Sequence, residues 1–312
     1  MKTGPATTLR AEQSGSALIA ILWVVAILSL LIFSSTQLLF VGAESEANSN
    51  AEFQARMLSE RGIALASHLE VEPGDRVLVE EFSEAESFEA RISSEGSRLN
   101  LNTLLSNYES DRIVLEELFV RWGLRFDEAA EVVDNLIDWI DPDDIETNLG
   151  AEQRFYLSRE QFRRPYNRPF LTLDEVEFVN QFDRVVAANP DWRESFTLLS
   201  SGKLDLNEAP MELILVTCEC GEAAVDVFLD LRDQMQSGLD YRRFETVEEA
   251  LALLNIPPGF EERIVNRVSV SDSVRRLVST GRFGSIAVES VVSVQYNAGV
   301  GSILQWTTRR TE

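Results

Sequence analysis

Between Gln13 and Ala43 the chain carries no charged side chain, and Ala17 to Val41 reads ALIAILWVVAILSLLIFSSTQLLFV. As an α-helix these 25 residues reach roughly 37 Å, longer than a hydrocarbon core of ~30 Å, which leaves room for tilt. A helix apolar on every side must be covered on every side, and a soluble core rarely does this. A secretory signal has a shorter apolar run followed by a small-residue cleavage site, and no such site stands at a convincing place here. The segment is therefore read as a retained membrane helix. Lys2 and Arg10 lie on its N-terminal side, Glu44 and Glu46 on the other. Positive charge stays cytoplasmic, so the expected topology is single-pass, with the N-terminus inside and everything past Glu44 outside.

Beyond this helix the composition is that of a globular protein but strongly acidic. There are 28 Lys and Arg against 52 Asp and Glu, a net charge of −24. Few cations remain to build a phosphate-binding patch, so nucleic acid is not an expected partner. One histidine, His68, and two cysteines, Cys218 and Cys220, are too few for a His-rich or four-thiolate metal site. His68 reads as a surface or half-buried residue. No phosphate loop, nucleophile elbow or histidine base is present, so no enzyme is expected.

The pattern of elements is α+β. Phe53, Met57, Leu58, Ile63, Leu65, Ala66 and Leu69 fall near helical spacing, which extends the apolar helix as an amphipathic one until Glu72-Pro73-Gly74-Asp75 breaks it. Short β-type runs lie within Val77–Ser94. Three clearer strands, 270–279, 286–295 and 303–309, are separated by Thr280-Gly-Arg-Phe-Gly284 and Asn297-Ala-Gly-Val-Gly301. Between them Leu99 to Asn266 is helical, so a small antiparallel sheet is split by a large all-α insertion. Asp127 is the expected cap of a helix that Asp141-Pro142 stops. Thr172-Leu-Asp-Glu175 and Thr246-Val-Glu-Glu249 read as capping boxes, and Pro210 as the start of a helix. Leu99-Asn-Leu-Asn102 recurs as Leu204-Asp-Leu-Asn207, which points to two related helical modules. The second has the order of a helix-hairpin-helix unit turning at Cys220-Gly221. Asn102 and Asn207 are expected to bond local backbone at a turn or helix start.

The leader that ends in Ser14-Gly15, followed at once by Ser16-Ala-Leu, resembles a type IV pilin-like precursor. That resemblance implies cleavage between Gly15 and Ser16 by a prepilin peptidase. Such pilins carry a glutamate at the fifth mature position, whose partner is the N-terminal amine of a neighbouring subunit. Here the position is Ala20, and the minor pseudopilin K of type II secretion (the general secretion pathway) is the family that lacks the glutamate. Without that carboxylate a subunit makes no such contact with one ahead of it, which implies the tip. Further stretches are similar to that family: Leu136-Ile-Asp-Trp139-Ile-Asp-Pro-Asp143-Asp144, Gly150-Ala-Glu152 with Phe155-Tyr156, Pro165-Tyr166-Asn-Arg168-Pro-Phe170, and Leu204 to Pro210. The resemblance implies a pilin-like fold with a SAM-like or helix-hairpin-helix-like insertion. It also implies a protein-transport role at the tip of the secretion pseudopilus, with I- and J-type minor pseudopilins held through the N-terminal helix. The expected organisation is leader 1–15, pilin helix 16–72, first β part 73–98, α modules 99–203 and 204–266, and closing strands 267–312. A membrane-anchored helix-hairpin-helix DNA-binding or uptake protein is the alternative. The turn Cys218-Glu-Cys-Gly221-Glu222, acidic and without a cation, speaks against it.

The densest acidic run holds Asp138, Asp141, Asp143, Asp144, Glu146, Asn148 and Glu152. Hard oxygens at this density suit Ca²⁺, which takes 6–8 of them. Asp141, Asp143 and Glu152 occupy EF-hand positions 1, 3 and 12, but Ile145 and Glu146 stand where that loop needs an oxygen ligand and a glycine, so it is no EF-hand. The family resemblance implies calcium in the α insertion; a solvated acidic loop is the plain alternative. Cys218 and Cys220 read as two thiols, with pairing left open.

Overall fold

The structure, a computed structural model, describes residues 12–237, 242–256 and 259–311. Lys2, Arg10 and most of the 1–15 leader lie outside the described residues. The chain opens with one helix, α1 (Glu12–Ala66), which at 55 residues runs about 80 Å. Its first part, from Ala17 to Asn50, is solvent-exposed all round and is long and apolar enough to cross a membrane.

The second part of α1 lies on a sheet, through Ile63 and Ala66 as the spacing predicted but not through Phe53 or Met57. Phe53 and Met57 stay exposed, while Ala55, Ser59, Gly62, Ile63 and Ala66 are buried. The face is chosen by size. A Cβ on Gly281 would sit 2.1 Å from the Ala55 carbonyl oxygen, and one on Gly62 would sit 2.2 Å from Ser279 Oγ. Small residues on both surfaces bring helix and sheet into near backbone contact, and Ser59 Oγ donates to the Ser279 carbonyl at 2.8 Å.

After α1 come β1 (Val79–Ser83) and β2 (Glu86–Ser94). The helical block follows: β3 (Leu99–Asn100), α2 (Leu101–Ser106), α3 (Tyr108–Arg121), α4 (Phe126–Ile140), α5 (Gln153–Ser158), α6 (Asp183–Ala188) and β4 (Phe196–Thr197). It continues with β5 (Leu204–Asp205), α7 (Met211–Cys218), α8 (Glu222–Ser237), α9 (Val247–Leu253), α10 (Glu261–Arg267) and β6 (Val268–Ser269). Then β7 (Val274–Phe283), β8 (Ile286–Asn297) and β9 (Val300–Thr311) return to the first sheet, whose order is β1-β2-β7-β8-β9, antiparallel throughout. The block is thus inserted between neighbouring strands β2 and β7. Gly281 lies inside β7, not in a turn as its glycine-rich context predicted; the turn is carried by Gly284, at φ 61°.

The block is two repeats of one plan. Each opens with a two-residue strand that later pairs in parallel, β3 with β4 and β5 with β6. Each has an asparagine two residues after that strand, and neither bonds locally as expected. Asn102 grips the backbone of Phe170, donating to its carbonyl at 3.0 Å and accepting from its N–H at 2.8 Å. Asn207 grips Phe244 in the same way, at 3.0 Å for both bonds, and also donates to the Val270 carbonyl at 2.8 Å. Each gripped phenylalanine stacks on an aromatic ring of the preceding long helix. Phe170 lies on Trp139 of α4 and Phe244 on Phe228 of α8, with interplanar angles of 13° and 15°.

Two expected caps differ. Arg125, not Asp127, is the residue before α4, and its N–H donates to Glu128 Oε2 at 3.0 Å. Thr172 makes no side-chain cap, and a 3₁₀ turn (Leu173–Phe178) follows it. Thr246 does cap α9, accepting from Glu249 N–H at 3.2 Å. The first repeat and the sheet are tied by buried Glu95, which accepts from Thr197 Oγ1 at 2.7 Å and Ser293 Oγ at 2.6 Å and pairs with Arg98.

Candidate metal site

The acidic run begins on the last turns of α4. Asp134, Asn135 and Asp138 form a polar row on a helix otherwise buried by Val132, Val133, Leu136, Ile137 and Trp139. That row organises the loop leading to α5. Thr147 N–H donates to both Asp138 oxygens, at 3.1 and 3.2 Å, and Leu149 N–H donates to Asp134 Oδ2 at 3.1 Å. Asn135 Nδ2 donates to the Leu149 carbonyl at 3.0 Å. A Cβ on Gly150 would come within 1.9 Å of Asp138 Oδ2, so the loop turns onto the carboxylate only where a side chain is missing.

The loop returns Glu152 to the helix end. Asp138, Asp141 and Glu152 each place a carboxylate oxygen so that all lie within 4.8 Å of one another. Oxygens bound to one Ca²⁺ at about 2.4 Å cannot be more than about 4.8 Å apart, so this separation fits a single ion. Asp138 and Glu152 are buried and Asp141 is half-buried. Asp141 Oδ1 and Glu152 Oε1 are shut from solvent with no hydrogen-bond partner, an arrangement that is costly unless a cation or proton is supplied.

The electrostatics agree. Burial, with Asp138 and Asp141 beside it, pushes Glu152 up to about 8. Burial, with Asp138, Asp143 and Asp144 nearby, pushes Asp141 up to about 6. Burial raises Asp138 as well, against its bonds to Thr147. A hard divalent cation would relieve all three through one charge. The donor set is all oxygen, so it suits calcium or magnesium better than a soft metal.

Of the residues the sequence nominated, Asp143, Asp144 and Glu146 are exposed and stand outside this group. Asp143 Oδ1 accepts from Ile145 N–H at 2.8 Å, and Asp144 Oδ1 from Asn167 Nδ2 at 3.3 Å. Sequence reasoning missed Asn167 as part of the site. It sits at φ 46°, donates to the Asp143 carbonyl at 2.9 Å, and has a buried Oδ1 without a partner. Its signal was present, since Tyr166-Asn-Arg168 is one of the stretches that carried the family resemblance. Elsewhere, Ala20 is an exposed residue of α1, and Gly15 and Ser16 fall on the same helix. His68 is exposed at the end of that helix region.

Residues 97–189, which include the whole acidic site, match the family model of Type II secretion system (T2SS), protein K. No curated protein matches the chain. Among solved structures, a chain of the GspK-GspI-GspJ complex from enterotoxigenic Escherichia coli Type 2 Secretion System superposes with a TM-score of 0.57 at 18% identity, over 89% of this chain and 99% of that one. The fold is therefore shared over most of the chain, and residues 97–189 are similar to the protein K family of type II secretion systems.

Proposed function

We propose that this protein is the minor pseudopilin at the tip of a secretion pseudopilus, where it nucleates or caps the filament for export of folded proteins. The observation that carries the reading is α1. One continuous helix is exposed and apolar for its first part and docked on the sheet through small residues for its second. Such a helix needs lipid before assembly and sister helices after it. The structural relative comes from a complex with GspI and GspJ, which supports I- and J-type partners for this chain. In this reading the leader is cut by a prepilin peptidase between Gly15 and Ser16, the helix spans the inner membrane, and residues past Glu44 face the periplasm. Ala20 marks the tip. The helical block carries calcium on Asp138, Asp141 and Glu152, with orphaned buried oxygens at the last two as its support.

Membrane-extracted protein is expected to have lost residues 1–15 in intact mass and to copurify with I- and J-type subunits. An untrimmed, detergent-independent monomer would end the reading. Ala20→Glu is expected to admit the subunit into the filament body; unchanged assembly and secretion would show that position 20 does not set the tip. Calcium is expected to give heat in titration calorimetry on the detergent-solubilised chain, and none after Glu152→Gln. The helix-hairpin-helix DNA reading is weakened by Glu219. This acid occupies the hairpin turn and engages Arg263 at 2.5 Å and Arg267 at 2.7 Å. Guanidinium groups that could face phosphate are thereby tied to a carboxylate.

A further inference from the structure

Cys218 and Cys220 stand outside everything assigned above. Helix α7 ends at Cys218, Glu219 turns the chain with φ 51° and ψ 39°, and α8 begins at Glu222. A left-handed residue mirrors a right-handed helical one, so the Cα atoms on either side of it lie as close as residues two apart in a helix. With a 1.5 Å rise and a 2.3 Å radius that distance is about 5.4 Å. Disulfides bridge Cα atoms about 4.4–6.8 Å apart, whereas an extended middle residue would open the pair to the upper edge of that range.

The turn is held from outside. A left-handed conformation is unfavourable for a residue with a Cβ. Here the Glu219 carboxylate is fixed by Arg263 and Arg267 of α10, and Arg267 Nε donates in turn to Asp111 Oδ1 of α3 at 2.8 Å. The two thiols lie close enough for each to perturb the other's acidity. They differ in access: Cys218 is buried and Cys220 half-buried. They also differ in acidity, because their mutual interaction and burial push the Cys218 thiol up while the same interaction lowers that of Cys220. The accessible sulfur is the one that more readily becomes thiolate, and the shielded one is placed to resolve.

We propose that Cys218 and Cys220 form a dithiol site that closes to an intramolecular disulfide by exchange with a disulfide donor, either a small-molecule disulfide or a disulfide oxidase. In the first step the Cys220 thiolate attacks one donor sulfur. A mixed disulfide forms and the donor's other sulfur leaves as thiolate. In the second step the Cys218 thiol gives its proton to that thiolate or to water, and its sulfur attacks Sγ of Cys220. The intramolecular bond forms and the second donor thiol leaves. The pair is oxidised by two electrons and the donor's disulfide is reduced to two thiols. Closure fixes Glu219 in its turn, and with it the contact of α7–α8 with α10 and α3. The supply of donor in the cell rests on the periplasmic placement proposed above; the exchange itself does not.

The test uses the full chain in detergent, reduced, then held in a buffer of oxidised and reduced glutathione, alkylated and mapped by peptide mass. The expected product is a single 218–220 peptide lighter by two hydrogens, with no alkyl group. Cys218→Ser is expected to stop at a glutathione adduct on Cys220, and Cys220→Ser to stay unmodified while native. Two alkylated thiols after oxidation, a lasting glutathione adduct on the unsubstituted chain, or only intermolecular dimers would each overturn the proposal. Should either variant fail to fold, the mass of the unsubstituted peptide decides by itself.

Discussion

The two repeats of the helical block share a frame and differ in what interrupts it. In each, a short strand leads to an asparagine that grips a distant phenylalanine, which stacks on the long helix before it. In the first repeat the chain between Trp139 and Phe170 swells into the acidic loop, α5 and the segment that carries Asn167. In the second, α8 runs on past Phe228 to Ser237 and the sequence separation from Phe228 to Phe244 is shorter. The frame is closed independently at its ends by the parallel pairs, so the return segment is free to vary. The added segment completes the acidic site: Asp141 and Glu152 lie on it, while Asp138 lies on the last turn of α4. A difference in chemistry between two similar halves thus points to the insertion.

The strongest way to break this equivalence is to cut the clamps. Asn207 is buried and makes three bonds to backbone, while Asn102 is half-buried and makes two. Each buried backbone group left without a partner costs about 1–3 kcal/mol. Asn207→Ala is expected to cost about 4 kcal/mol in denaturant unfolding and Asn102→Ala about 2 kcal/mol. Equal losses would show that the two clamps are alike in geometry only.

Calcium sharpens the contrast. At a hundredfold excess over its dissociation constant a ligand adds about 2.7 kcal/mol, and a domain of ~200 residues then gains roughly 5–10 °C. Chelation is expected to lower the melting temperature by about that much. Glu152→Gln is expected to remove the response. Without calcium the variant should melt higher than the unsubstituted chain, because one of three crowded carboxylates is gone. A melting temperature indifferent to chelator would leave the first repeat's insertion without this role.

The next contrast is in charge. Asn100 caps α2 in the first repeat, accepting from Thr103 N–H at 3.1 Å; its counterpart in the second is Asp205, accepting from Asn207 N–H at 3.1 Å. Burial, with Glu208 beside it, pushes Asp205 from an ordinary 3.8 up to about 6. The folded state therefore holds this proton more tightly than the unfolded chain. The neutral carboxyl carries no penalty below about pH 4; the penalty of its charge grows as pH rises to about 6 and is constant above. Asp205→Asn keeps the acceptor and removes the charge, so it is expected to add about 2 kcal/mol at pH 7 and nothing at pH 4. A gain that does not change with pH would assign the effect to something other than this carboxyl.

Sequence reading reached the long helix, the split sheet and the echo of Leu-Asn-Leu-Asn, because hydropathy and repetition are properties of the chain itself. It caught Ile63 and Ala66 on the docked face of α1 but not the rest of that face, since periodicity ranks Phe53 and Met57 above Ala55 and Gly62, and close approach rewards the smaller residues. Gly281 misled for the same reason: a glycine that receives a helix looks like one that makes a turn. At the site, the fold brings Asp138, Asp141 and Glu152 together. Asp143, Asp144 and Glu146 were nominated with them, because density along a loop does not say which side chains turn inward. The clamps were invisible because their partners lie 68 and 37 residues away.

The smallest contrast concerns the two sequence boxes, Thr172-x-x-Glu175 and Thr246-x-x-Glu249, which look alike and behave differently. Thr246 Oγ1 accepts the Glu249 N–H at 3.2 Å, and α9 follows as an α-helix. After Thr172 the backbone tightens to a 3₁₀ turn, and the Glu175 N–H goes to the Thr172 carbonyl at 3.2 Å instead. The Glu175 carboxylate is drawn off by Arg168, at 3.0 and 3.2 Å, on the chain returning from the acidic loop. Loss of a working threonine cap costs about 1 kcal/mol. Thr246→Ala is expected to show that loss in denaturant unfolding, and Thr172→Ala to fall within a few tenths of zero. Arg168→Ala should then free Glu175 at a cost of about 1 kcal/mol, that of a half-buried ion pair. If Thr172→Ala costs as much as Thr246→Ala, the first box works as a cap in solution and the return segment does not distort it.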